Sequence, residues 1–253
     1  MSRAPSIAAA ALGLALAGSS AAQPAPRVVR VQPSAAEVPA NLLRISIEFA
    51  APIEGPVLNV LALRHADGRP LEQPFLQQEL WSPSGKILTF LLNPGRVKTG
   101  LNAREEMGPI LSTGDDVVLT LNGQSLKRWR VGQVDAQGPA ISTWRLSTVR
   151  AASRQALVVT LDGAIDGRDV DYLAVADTHG RRVNGRARLT DGERIWTFTP
   201  DRPWRIGVYK LVVRGTLEDP AGNRLGGHFE TSTSTPAEHA SDAVRDVAVI
   251  ADR

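Results

Sequence analysis

The 253 residues are enough for one large or two modest domains, each able to bury a core. Lys and Arg total 29 against 26 Asp and Glu, so the net charge is only +3, and the basic residues are scattered. That pattern gives little counterion-release drive and argues against nucleic acid as a partner. Cysteine is absent, which excludes disulfides, thiolate metal sites and lipid attachment at a lipobox cysteine.

The chain opens with Arg3, an apolar stretch from Ile7 to Ala17, and the small residues Ser20-Ala21-Ala22. This is the pattern of a secretory signal peptide over residues 1–22, cleaved before Gln23. The stretch is shorter than the roughly 20 residues a bilayer span needs, and no other segment is apolar enough to span. The expected mature protein is periplasmic or secreted, with charge +3 − 1 = +2 once Arg3 is removed.

Past Gln23 the chain reads as strands. Leu43-Arg44-Ile45-Ser46-Ile47-Glu48-Phe49 alternates apolar and polar residues, as a half-buried strand does. Asp67-Gly68 and Pro83-Ser84-Gly85 mark turns, and Val117-Val118-Leu119-Thr120-Leu121 runs into the hairpin signal Asn122-Gly123. Many short strands with regular turns predict an all-β sandwich or barrel.

The pattern occurs twice. Ile45-Ser46-Ile47-Glu48-Phe49 returns as Leu157-Val158-Val159-Thr160-Leu161, and Leu61-Ala62 returns as Leu173-Ala174 at the same offset. Ile87-Leu88-Thr89-Phe90 returns as Ile195-Trp196-Thr197-Phe198 after a small drift, which falls where turns tolerate insertions. Two copies of one domain follow.

Gly207-Val208-Tyr209-Lys210-Leu211-Val212-Val213, followed by Asp219-Pro220-Ala221-Gly222-Asn223, resembles the closing half of bacterial Ig-like domains. Val31-Gln32-Pro33-Ser34 and the Ile45–Phe49 run resemble that family's opening strands. The resemblance implies two tandem immunoglobulin-like β-sandwiches, each of about seven strands. It implies little about activity, since such modules serve as spacers, adhesive units and ligand binders. The expected organisation is a sandwich over 28–133 with a helical insertion near 101–115, a second over 140–232, and a tail over 233–253, for which disorder, a short docked strand and a short helix are all open.

Candidate sites are few. His65 and His179 fall in corresponding turns, and neither they nor His228 and His239 join a catalytic motif. Glu105-Glu106 are sequence neighbours and do not oppose one another across a cleft, as a glycosidase pair must. The expectation is therefore a chain that is not an enzyme, with no cofactor. Glu218, Asp219 and Asn223 could offer oxygen ligands to calcium. The Pro-Ala-Gly run between them reads more simply as a tight structural turn.

Trp196 and Trp204 align with apolar positions of the first copy and are expected in the core. Trp81, Trp129 and Trp144 lack such counterparts; exposed, they would make a carbohydrate platform, and Trp144 could wedge the two sandwiches together. In the insertion, Asn102 is the expected N-cap of a helical turn stopped by Gly108-Pro109, with Leu101, Met107, Ile110 and Leu111 buried as a plug. A binding loop is the alternative. The expected role is a binding or scaffolding module for another envelope protein, and the alternative is a carbohydrate-binding or calcium-dependent adhesive surface module.

Overall fold

A computed structural model describes residues 26–225 and 241–251. Two immunoglobulin-like sandwiches follow one another along the chain, built on one plan. In the first, β1 (Val28–Gln32), β3 (Arg44–Phe49), β6 (Ile87–Leu91) and β5 (Leu80–Trp81) form one sheet. The facing sheet is ordered β2 (Glu37–Val38), β8 (Gln124–Val131), β7 (Asp116–Leu121), β4 (Leu61–His65). All pairings are antiparallel except β2 with β8.

The second sandwich repeats this order. β13 (Gly185–Thr190), β14 (Ile195–Pro200), β11 (Leu157–Thr160) and β9 (Arg145–Leu146) make one sheet. β10 (Val149–Arg150), β16 (Ala243–Ile250), β15 (Val208–Val213) and β12 (Leu173–Ala176) make the other, again with one parallel pair, β10 with β16. In each copy the first strand thus splits, one half serving each sheet.

Alternation sets the cores. Ile45, Ile47 and Phe49 on β3 lie beside Leu88 and Phe90 on β6 on one inner face, as Leu157 and Val159 on β11 lie beside Phe198 and Trp196 on β14. Each core is a separate apolar cluster, and burying such large side chains supplies most of the driving force. Trp196 stacks on Phe198 with ring centroids 5.8 Å apart.

Several expectations need correction. The second sandwich does not end at residue 232: residues 243–250 of the tail dock as strand β16, hydrogen-bonded between β15 and β10. Val247 is buried there, filling the place that Trp129 of β8 fills in the first copy. Trp144 does not wedge the domains; it lies in the second core, its Nε1 donating to Asp162 at 2.7 Å.

The insertion forms one short helix, α2 (Asn102–Met107), preceded by the helical turn α1 (Pro94–Val97), and Leu101 rather than Asn102 takes the N-cap position of α2. Ile110 and Leu111 are buried as a plug requires, but Leu101 and Met107 are each 40% exposed. Arginine holds the segment where apolar packing was expected. The buried Arg96 guanidinium donates to the carbonyls of Glu72, Met107, Gly108 and Pro109, and Arg104 donates to those of Arg96 and Val97. Such charged donors satisfy helix-end carbonyls that would otherwise lack partners.

Candidate functional site

The motif Asp219-Pro220-Ala221-Gly222-Asn223 lies where the two sandwiches meet. The Asp219 carboxylate accepts from the Asn223 backbone N–H at 2.9 Å and from its Nδ2 at 2.8 Å, which closes the turn. Asn223 Nδ2 also donates to the Asp135 carbonyl, which Asn41 of the first sandwich holds from the other side. The Pro220 carbonyl accepts from Leu43 N–H at 2.9 Å. Burial pushes the Asp219 carboxyl up to about 7, against hydrogen bonds from Asn223 that lower it.

Arg44, at the start of β3, is the charge centre of this joint. Its guanidinium reaches Asp166 at 3.3 Å and also pairs with Glu218. Arg168 shares Asp166 at 3.2 Å, and Arg224 shares Glu218 at 3.0 Å. Close by, Asp169 accepts from the Glu218 N–H at 3.0 Å. Burial, with Asp166 beside it, pushes the Asp169 carboxyl up to about 7. A third strut is Glu193, which accepts from Ser34 N–H at 2.8 Å.

Two glycines let the surfaces close. A Cβ at Gly167 would collide with the Gln32 amide, and one at Gly192, whose φ is +61°, would come within 2.8 Å of the Ala35 side chain. The candidate ligand residues are thus engaged by protein partners: Glu218 by Arg44 and Arg224, Asp219 by Asn223, and Asn223 by Asp135. Among the described residues no group of three or more His, Asp or Glu side chains is placed to hold a metal ion.

The remaining candidates do not converge. His179 is exposed in its turn, while His65 is half-buried at the end of β4; His228 and His239, like residues 1–22, lie outside the described residues. Glu105 and Glu106 are exposed on α2. The aromatic platform is not formed: Trp129 and Trp144 are buried, and Trp81 is half-buried with its Nε1 donating to Glu79 at 2.8 Å. Among the described residues no helix is long and apolar enough to cross a membrane.

What sequence reasoning missed is the outer face of the sheet β10-β16-β15-β12. On β15, Tyr209, Leu211 and Val213 point into the core, which turns Val208, Lys210 and Val212 outward. On β16, Val244, Asp246, Ala248 and Ile250 point outward by the same alternation about buried Val247. Val208 is 58% exposed, and Val244 and Ile250 are each 48% exposed. Ile206, just before β15, is 75% exposed. It borders a 610 Å³ groove lined by Ala151, Ala152, Arg202, Pro203, Trp204 and Arg205. Apolar residues on both faces of β15 were the available signal in the sequence.

No family model matches the chain, and no curated protein does. Among solved structures it is similar to SGBP-B from a complex xyloglucan utilization locus in Bacteroides uniformis, at 14% identity and a TM-score of 0.29. That match covers 81% of this chain and 49% of the other, so the chain spans about half of that protein. The mouse nectin-like molecule 4 ectodomain is similar at 9% identity and a TM-score of 0.22, covering 85% of this chain and 66% of that one. An L,D-transpeptidase from Mycobacterium smegmatis is similar at 11% identity and a TM-score of 0.31, covering 90% of this chain and 99% of that one. These likenesses are too distant to carry an activity over. The expectation that the chain is not an enzyme is corrected: several of the similar structures are L,D-transpeptidases.

Proposed function

We propose that the chain is an exported binding module in which two joined sandwiches present the outer face of the β10-β16-β15-β12 sheet to a protein of the cell envelope. Export rests on the signal-peptide pattern of residues 1–22. The binding role rests on one observation: Val208, Val244, Ile250 and Ile206 stand exposed together on one side of the second sandwich. A grouped apolar surface of this kind costs solubility, and on a soluble domain it marks an interaction site. The equivalent sheet of the first sandwich has no such surface. There Val118 is 8% exposed, flanked across the strands by Arg64 and Arg128.

Site-specific photo-crosslinking in the native envelope tests this. A photo-reactive residue substituted at Val208 is expected to give a discrete adduct, and the same residue at Arg128 is expected to give none. Equal backgrounds at both positions would overturn the proposal.

A further inference from the structure

We infer that the occupant of this face is a second copy of the same chain, packed sheet to sheet about a two-fold axis parallel to the strands. The inference rests on the reading of the face as a protein-binding surface and names what it binds.

The argument is the arrangement of the residues. Strands β15 and β16 place three outward pairs side by side: Val208 with Ala248, Lys210 with Asp246, and Val212 with Val244. Lys210 and Asp246 form an ion pair at 3.6 Å, so the centre of the apolar face carries one positive and one negative charge, while Arg150 of β10, in register with Ile250, adds a positive charge at its edge. Sheets that pack face to face keep their strands within about 30° of alignment. An axis in the interface plane, parallel to the strands and running between β15 and β16, exchanges the two strands and preserves the rows. It sets Lys210 over Asp246 of the partner subunit, Val208 over Ala248 of the partner subunit and Val212 over Val244 of the partner subunit.

Each row then meets its complement. The other in-plane axis, perpendicular to the strands, would set Lys210 against Lys210 of the partner subunit, and like charges in a desolvated interface cost heavily. The charge pattern therefore selects a single dimer, and isologous pairing of this kind is the commonest form of self-association. The flanking β12 contributes only Ala174 and Ala176, in register with Val212 and Lys210, so nothing bulky there holds two sheets apart. A second copy matches the three central rows one by one, opposite charge over opposite charge and apolar over apolar.

Charge exchange on the mature full-length protein tests this, read by sedimentation velocity over a concentration series. The wild type is expected to show a concentration-dependent dimer. Lys210→Asp and Asp246→Lys each set like charges across the interface and are expected to weaken it about tenfold or more. The double variant restores every opposition and is expected to dimerise within about threefold of wild type. Circular dichroism checks the fold of each variant, and an exposed ion pair contributes too little to unfold the monomer when lost. A wild type that stays monomeric up to about 100 μM would overturn the inference, as would a double variant no better than the singles. If the wild type is monomeric while Val208 still crosslinks to a different polypeptide, the second copy is wrong and the binding module stands. Absence of both dimer and adduct removes both.

Discussion

The joint between the sandwiches and the outer face of the second sandwich meet their surroundings in opposite ways. At the joint, contact is made by charges, backbone groups and glycines: Arg44 lies between Asp166 and Glu218, Leu43 donates to Pro220, and Gly167 and Gly192 give close approach. The outer face offers mainly valine and isoleucine, with one ion pair at its centre and Arg150 at its edge. Among the described residues the joint leaves no buried side-chain nitrogen or oxygen without a partner. A surface settled within the chain can thus be polar because every group has a fixed counterpart, and directional bonds fix one orientation. The face left open is apolar, and apolar surface gains from any well-shaped cover.

The largest test of this contrast is Arg44→Ala. It leaves Asp166 and Glu218 beside the joint with only Arg168 and Arg224 to compensate, and should cost about 2–3 kcal/mol, below the full cost of orphaning a buried charge. Chemical denaturation should show the loss together with separation of the two domains' transitions; an unchanged midpoint would mean the charges are incidental.

A smaller effect concerns pH. Asp169 and Asp219 both titrate near 7 when folded, against an ordinary 3.8. Between those values the folded state holds protons that the unfolded chain has released, so these groups make stability fall as pH rises from about 4 to 7. Asp169→Asn keeps an acceptor for the Glu218 N–H while removing a charge beside Asp166. It should flatten the pH profile and raise stability at pH 8, relative to pH 5, by about 1–3 kcal/mol. Parallel profiles for variant and wild type would refute the assignment.

The smallest expected effect is on the open face. Val208→Ser should change monomer stability by no more than about 0.5 kcal/mol in dilute solution, because an exposed side chain leaves little packing to lose. A larger loss would show that the face is already covered within the chain.

The sandwiches themselves were legible in the sequence because each strand's alternation is local. The segments Ile45–Phe49 and Leu157–Leu161 name β3 and β11, and Ile87–Phe90 and Ile195–Phe198 name β6 and β14. Strand β16 escaped because its counterpart β8 follows β7 across Asn122-Gly123, whereas residues 214–242 separate β15 from β16. The joint was illegible for a related reason. Arg44 and Glu218 are ordinary surface residues by type, and only the fold brings them together. Likewise Met107 looked like core by composition, while the arginine–carbonyl contacts that hold its segment leave it outside.

The place of β16 has a consequence for how the molecule comes into being. The first sandwich has its last strand once residue 131 is available, and β7 and β8 meet through a two-residue turn. The second has a gap between β15 and β10 until residues 243–250 arrive, across a long connection whose closure is slow. During that interval β15 is an unpaired edge with valines on its outer side, and such edges recruit other chains. A chain emerging from its amino terminus would thus pass through a stage in which one finished domain carries an unfinished one, ended by the arrival of a single eight-residue strand.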